Sequence, residues 1–171
     1  MPDNDPDYKP GVLFRELKRL SGSEGFQFRE ILISDSISGK NRVNGKFFEV
    51  VCNEKSTSKV YIGRVYSCRA GGCVNHSMND SESGSEYFDY FILFDLHNKI
   101  TAVRVYNYAA THGQEITGKG WLNQFMGFDG NSSLRVGKEI DSISGATISV
   151  NGLVADVLEK TAILRQTILI Y

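Results

Sequence analysis

The chain has 171 residues, of which 41% are hydrophobic and 23% are charged, and its formal net charge is −1. A chain of this length can bury one hydrophobic core, and the balanced charge argues against a protein that binds the phosphate backbone of a nucleic acid. No apolar run approaches the roughly 20 residues of a membrane-spanning helix, so we expect no transmembrane segment in this chain.

The first ten residues predict a disordered tail. Residues 1–10 contain three prolines and several acidic residues, and they lack the basic and apolar regions of a secretory signal. We expect the remaining residues, 11–171, to form a single domain. This beginning fits a cytoplasmic protein, and it equally fits a protein whose leader has been replaced by Met1.

The middle of the chain has the pattern of a β-sheet that follows one helix. Residues 12–20 predict a short amphipathic helix, because their leucines recur at helical spacing. Residues 26–33 fit a strand or a helix equally well. Strands are predicted over residues 46–52, 60–67, 87–95 and 100–108. The four-residue segment 96–99 separates the last two strands, which should therefore form an antiparallel hairpin.

The three cysteines, Cys52, Cys68 and Cys73, lack the spacing of a zinc or iron–sulfur site. Their odd number argues against a disulfide framework. Cys68 and Cys73 are either two loop thiols or one small disulfide, and a metal site that also uses His76 is the less favoured alternative. Residues 73–86 are rich in Ser, Asn, Gly and acidic residues, which predicts a mobile loop.

Helices return in the final third of the chain. Residues 121–128 predict one or two helical turns, and residues 144–166 predict one long helix with Ser144 as its N-cap. The apolar stripe expected on this helix is Val150, Leu153, Val154, Val157, Leu158 and Leu164. The fold class is therefore α+β, an antiparallel sheet with packed helices and a long C-terminal helix opened by the Ser-Gly-Ala-Thr turn.

The segment that indicates chemistry is Asp141-Ser142-Ile143-Ser144-Gly145-Ala146-Thr147. The unpaired N–H groups at the start of a helix suit a phosphate, and Gly145 and Ala146 allow another group to approach the backbone closely. Thr147 places a hydroxyl beside this anion site, where it can hydrogen-bond a phosphate or be esterified by one. The residues alone also fit a simpler alternative, a helix cap and a tight turn without any ligand.

This segment resembles the hallmark of the FMN-binding domain family, Asp-x-x-Ser/Thr-Gly-Ala-Ser/Thr. That family includes the peripheral FMN-carrying subunits of the sodium-translocating NADH:quinone reductase and of Rnf-type electron-transport complexes. The resemblance extends over about residues 87–162. It includes the loop at 111–116 and the stretch at 121–125, which is similar to the family's Leu-x-Gln-Phe sequence.

The resemblance implies that the cofactor is FMN and that a phosphoester joins it to Thr147. In the family, a flavin transferase that uses FAD and magnesium makes this bond. The family pattern further implies that Asp141 and Ser144 help to present the acceptor hydroxyl, with Gly145 and Ala146 beside it.

The resemblance also implies contacts to the isoalloxazine ring from outside the motif. His112 or Glu115 would hydrogen-bond the ring, although a solvent-exposed loop imidazole is the simpler explanation of His112. Trp121 and Phe125 would pack against the ring, although both also fit a place in the core. The tyrosines at 106 and 108 would line the same pocket, and an aromatic-rich hairpin explains them equally well.

The function that follows is that of an electron carrier which exchanges electrons with redox partner proteins. No Gly-x-Gly-x-x-Gly fingerprint follows a strand, so the chain shows no nicotinamide site of its own. The alternatives are a non-catalytic flavin-binding sensor or assembly module, and a plain interaction domain without a cofactor. The resemblance implies an extracytoplasmic location, or association with a membrane through partners.

Overall fold

The computed structural model describes residues 5–38, 44–67 and 86–168. An antiparallel sheet in the order β1-β2-β3-β4-β5 forms its centre. The strands are β1 (Gln27–Ile31), β2 (Gly45–Cys52), β3 (Lys55–Ser67), β4 (Glu86–Phe94) and β5 (Ile100–Tyr108). The helices are α1 (Gly11–Ser21), α2 (Asp35–Ser38), α3 (Lys119–Leu122) and α4 (Thr147–Ile168), with 3-10 turns at Gln114–Thr117 and Asn123–Phe125. The predicted α+β class is confirmed.

Helices cover both faces of the sheet. On one face, Leu13 and Leu17 of α1 are buried against a cluster of apolar strand residues. On the other face, α4 packs on a larger cluster that includes Tyr61, Tyr90 and Phe94. Successive residues of a strand point to opposite faces, and a single sheet can therefore contribute to two separate cores.

The apolar stripe predicted on α4 is correct except at one position. The residues that the structure buries are Val150, Leu153, Val154, Val157 and Leu164. Leu158 is 37% exposed, so its assignment to the stripe was wrong. It follows Val157 directly, and one residue turns a helix by about 100°, which carries the side chain away from the sheet.

Two hairpins set the strand register. Asn53 and Glu54 have positive φ angles of 50° and 63°, as a two-residue type I′ turn requires, and Cys52 consequently pairs with Lys55. Strand β3 therefore begins at Lys55, five residues before the predicted start at residue 60. The prediction began too late because residues 55–59 are polar and carry no hydrophobic signal. The predicted β4–β5 hairpin is confirmed, and the ambiguous segment at 26–33 contains strand β1.

Part of the predicted N-terminal tail lies against the sheet. The ring of Tyr8 contacts the ring of Phe48 edge-on, with 5.9 Å between centroids, and the Tyr106 hydroxyl donates to the carbonyl of Asp7 at 2.8 Å. Residues 1–4 lie outside the described residues. A single domain over 11–171 remains a prediction.

The structure describes one of the three cysteines, Cys52. Cys68, Cys73 and His76 lie outside the described residues, as does the predicted loop up to residue 85, whereas Cys52 is a buried free thiol. Within residues 5–38, 44–67 and 86–168, no cluster of His, Cys, Asp and Glu has the composition to hold a metal ion. No helix in these same ranges has the length and apolar character needed to span a membrane.

Candidate functional site

The beginning of α4 forms one wall of an open pocket of about 250 Å³. Ser67 and Glu86 line it from the ends of β3 and β4, and His112 and Gly113 line it from the loop that follows β5. Residues 145–149 complete the lining. Segments that are far apart in sequence therefore meet at the motif that indicated chemistry.

A tight turn precedes α4. Gly145 has a φ of 83°, and the N–H of Ala146 donates to the carbonyl of Ile143 at 3.1 Å. The first α-helical hydrogen bond runs from the N–H of Val150 to the carbonyl of Ala146, at 2.9 Å. Ala146 is therefore the N-cap, and the prediction of Ser144 was wrong, because the left-handed glycine completes the turn before the helix begins.

The first turn of α4 is suited to an anion. The N–H groups of residues 147–149 precede the first intrahelical bond, and this turn contains no acidic side chain. Thr147 is exposed and lines the pocket. A Cβ built on Gly145 would meet no atom within 4 Å, so there is open space at this glycine of the pocket lining. This donor set and this space fit a phosphate group.

Hydrogen bonds join the opposite wall of the pocket to α4. The hydroxyl of Tyr108 donates to the carbonyl of His112 and lies 3.0 Å from the Ser149 hydroxyl. Burial raises the pKa of Tyr108 above its ordinary value, so the phenol remains a protonated donor. Gly113 has a φ of 85°, and its Cα lies so close to these two side chains that a Cβ would come within 2.8 Å of both hydroxyls.

A β-bulge separates the two tyrosines that were predicted to line the pocket. The β4–β5 register shifts between Asp89 and Tyr90, which leaves Tyr106 as the extra residue of β5. Tyr106 consequently packs on the α1 face, whereas Tyr108 stacks on Phe88 on the α4 face. Only Tyr108 lies next to the pocket.

Two side chains of the segment after β5 bind the main chain of Asp141. The indole N–H of Trp121 donates to the Asp141 carbonyl at 2.9 Å, and the N–H of Asp141 donates to the amide oxygen of Gln124 at 2.8 Å. The Trp121 ring also meets the ring of Phe125 edge-on, with 5.6 Å between centroids. The Asp141 side chain itself is exposed.

The structure brings four of the predicted site residues into the pocket lining: His112, Gly145, Ala146 and Thr147. It places the other four outside that lining: Glu115, Trp121, Asp141 and Ser144. Glu115 is exposed on the 3-10 turn at Gln114–Thr117, and Trp121 is half-buried beside Asp141.

Residues 87–159 match the model of the FMN-binding domain family. This part of the chain, less than half of its length, is similar to that family. The match covers the pocket loop, the Asp141 contacts and the start of α4, and its limits are close to those of the resemblance in the sequence. FMN is therefore the cofactor of this domain. The comparison with curated proteins found no match to the chain.

Sequence reasoning missed several residues that line or adjoin this pocket. Ser149 carried a weak signal, since it is a hydroxyl residue in the same helical turn as Thr147. Gly113 is one glycine among 17, and only its φ angle and close neighbours distinguish it. Ser67 and Glu86 carried no signal, because the pairing of β3 with β4 is what brings them to the pocket.

Proposed function

We propose that this chain is a flavoprotein electron carrier in which FMN is joined to Thr147 through a phosphoester. The observation that carries the proposal is the position of Thr147. This residue lines the pocket in the first turn of α4, where main-chain N–H groups precede the first intrahelical bond and no side chain is acidic. A phosphate on this oxygen would keep its negative charge next to the positive end of the helix.

The residues that would hold the cofactor divide between its two ends. Main-chain N–H groups of residues 147–149 would bind the phosphate, with Gly145 leaving room for it. His112 is a better candidate than Glu115 for a hydrogen bond to the ring, since only His112 lines the pocket. Bound flavin supplies one- and two-electron chemistry, while the chain contributes position and electrostatics.

Attachment would require a flavin transferase that uses FAD and magnesium. The Thr147 oxygen would form a bond to the flavin-side phosphorus, the pyrophosphate bond would break, AMP would leave and the hydroxyl proton would pass to solvent. The exposure of Thr147 makes the acceptor accessible to a separate enzyme. The carboxylate of Asp141 is also exposed, as a recognition element for that enzyme would have to be.

Redox partner proteins would deliver and remove the electrons, and they would also provide any association with a membrane or an extracytoplasmic assembly. The open pocket supports this proposal, since Ile148 on its lining is 48% exposed and leaves an apolar rim for a partner. A sensor or assembly module is the alternative. A carrier should be photoreduced reversibly and pass its electrons to a generic acceptor, whereas a non-catalytic module should not.

The attachment is tested by co-expression with a flavin transferase, followed by mass spectrometry of the intact protein and its peptides. We expect the mass of one FMN moiety on the peptide that contains Thr147. Thr147→Ala should abolish the increase and Thr147→Ser should retain it, since serine keeps a hydroxyl. Ser142→Ala is the matched control, because it removes an exposed hydroxyl from the same segment without removing the acceptor.

An unchanged mass increase in Thr147→Ala would disprove the assignment of the acceptor. Asp141→Ala should also prevent modification, at a cost of about 1 kcal/mol or less in stability, because the side chain is exposed. Circular dichroism of the variant separates a loss of recognition from a loss of folding.

A further inference from the structure

The main chain of Asp141 is held on both sides by side chains that are remote in sequence. Its carbonyl accepts the indole N–H of Trp121 at 2.9 Å, and its N–H donates to Gln124 Oε1 at 2.8 Å. Both main-chain polar groups of Asp141 are thus hydrogen-bonded to side chains of one short segment, residues 121–124. Neither side chain lines the pocket, and neither contact involves the Asp141 carboxylate.

We infer that Trp121 and Gln124 are positioning residues for flavin attachment, which fix the main chain of Asp141 so that its carboxylate and the turn leading to Thr147 are presented in one orientation. This inference rests on the proposed attachment to Thr147. It assigns to the Trp121–Gln124 pair a role in the reaction at the motif rather than a contact to the flavin ring. We call the pair the Asp141 clamp.

Side-chain contacts hold the segment that contains the clamp residues against β5 and α1. Asn123 lies between the two clamp residues, and its side-chain oxygen accepts from Arg104 of β5 at 3.1 Å. Arg104 in turn lies 3.2 Å from the buried carboxylate of Glu16 on α1, and Lys119 lies 3.3 Å from the same carboxylate. Helix α1 and strand β5 therefore restrain the segment, so that it can restrain Asp141.

The chemical effect of the clamp follows from hydrogen-bond directionality. Asp141 is exposed and precedes the tight turn at 143–146 by two residues. Without the clamp, rotation about the Asp141 backbone would move its carboxylate relative to the Thr147 hydroxyl. A transferase that recognises both groups would then meet the correct arrangement for only a fraction of the time.

The experiment measures flavin attachment by a purified transferase with FAD and magnesium, from the time course of the intact mass. Gln124→Met removes the acceptor at nearly constant volume, and Trp121→Phe removes the donor while keeping a ring against Phe125. Each should lower the kcat/KM of attachment about tenfold, as expected for one lost hydrogen bond to a peptide group. Gln124→Glu keeps the acceptor oxygen and should restore most of the rate.

A second measurement needs no flavin. Amide hydrogen exchange, followed by NMR on the unmodified protein, should show a protected Asp141 N–H that exchanges about tenfold faster in Gln124→Met. Gln166→Met is the matched control, since Gln166 is exposed in the last turn of α4. It should leave both measurements unchanged.

The outcomes separate the clamp from the attachment proposal. If wild-type protein is modified at Thr147 and Gln124→Met is modified at the same rate, the clamp is disproved and the attachment stands. A Gln124→Glu variant as slow as Gln124→Met would also refute the clamp. If Thr147→Ala is still modified, the attachment proposal fails, whatever the clamp variants show.

Discussion

Gly113 shows how closely a single residue controls the shape of the pocket at the start of α4. Its φ of 85° is one that side chains rarely adopt, and its Cα lies beneath the hydroxyls of Tyr108 and Ser149. These two hydroxyls connect the pocket loop to the first turn of α4. Any side chain at position 113 must therefore strain the backbone and separate the two walls.

We expect Gly113→Ala to destabilise the domain by roughly 1–3 kcal/mol and to weaken FMN binding. The comparison variant is Gly120→Ala in α3, where a Cβ would meet nothing within 4 Å and φ is not positive. Alanine there should be neutral or slightly stabilising. Thermal unfolding of both variants, together with a titration with FMN, provides the measurement. Equal effects of the two changes would contradict the role assigned to Gly113.

The sequence predicted individual residues best where the chemistry is local. Thr147 and Gly145 could be recognised because the motif is contiguous and opens a helix. The contact between Trp121 and Asp141 spans 20 residues, and no local pattern distinguishes a tryptophan that donates to a distant carbonyl from one in a core. The N-cap was misplaced from Ala146 to Ser144 because serine is the better capping residue by preference, and the sequence does not reveal the φ of Gly145.

At the level of elements, a short closed loop at residues 135–140 directly precedes the motif at 141–147. Val136 forms an isolated bridge with Ile140, and the N–H of Gly137 donates to the carbonyl of Ile140 at 2.7 Å. Ile140 is fully buried next to the exposed Asp141. The carboxylate of Glu139 closes the loop by accepting from the main chain of Arg135 at 2.8 Å and from its guanidinium at 3.1 Å.

The Glu139 contacts predict a response to acid. Hydrogen bonds from the side chain and the main chain of Arg135 lower the pKa of Glu139 from 4.5 to about 2. A pKa that is lower in the folded state means that the carboxylate stabilises the loop fully above pH 4.5. This contribution is lost as the pH falls from 4.5 through 2. We expect the loop to loosen in that window.

A carboxyl-carbon NMR titration of Glu139 measures this directly. The midpoint should lie near pH 2, and Arg135→Ala should move it toward 4.5 because the guanidinium is the largest cause of the shift. A wild-type midpoint at 4.5 would show that the hydrogen bonds do not persist in solution.

Elements were predictable where hydrophobic patterning and turn chemistry agree. The β4–β5 hairpin follows from two alternating apolar runs around Asn98, which has a φ of 61° in the turn. The early start of β3 was missed, because residues 55–59 are polar and their strand conformation depends on pairing with β2. The β-bulge at Tyr106 was also missed, since it depends on the register with β4.

At the scale of the whole molecule, one sheet supports two cores. The cluster under α1 and the cluster under α4 are built from alternate residues of the same strands. The family match begins at residue 87, so α1 and strands β1, β2 and β3 lie outside the matched segment. Shared strands should nevertheless make the two parts unfold together.

We therefore expect one cooperative unfolding transition, with the same midpoint by far-UV circular dichroism and by the fluorescence of Trp121, the single tryptophan. Leu13→Ala and Leu153→Ala, one in each core, should each cost about 2–5 kcal/mol and shift both signals equally. Leu20→Ala, at a leucine of α1 that is 45% exposed, should have little effect. Two separate transitions would show that the chain folds as two units.

The composition of the pocket lining has a consequence for the order of events in the cell. Ser67, His112 and Thr147 come from segments that meet only after long-range strand pairing and helix docking. A partly folded chain has no complete pocket, and FMN that binds only the native state shifts the folding equilibrium toward that state. Under the proposed function, loading with flavin would select chains that have finished folding. In the presence of excess flavin transferase and FAD, the colour of a preparation should then report the folded fraction of the protein.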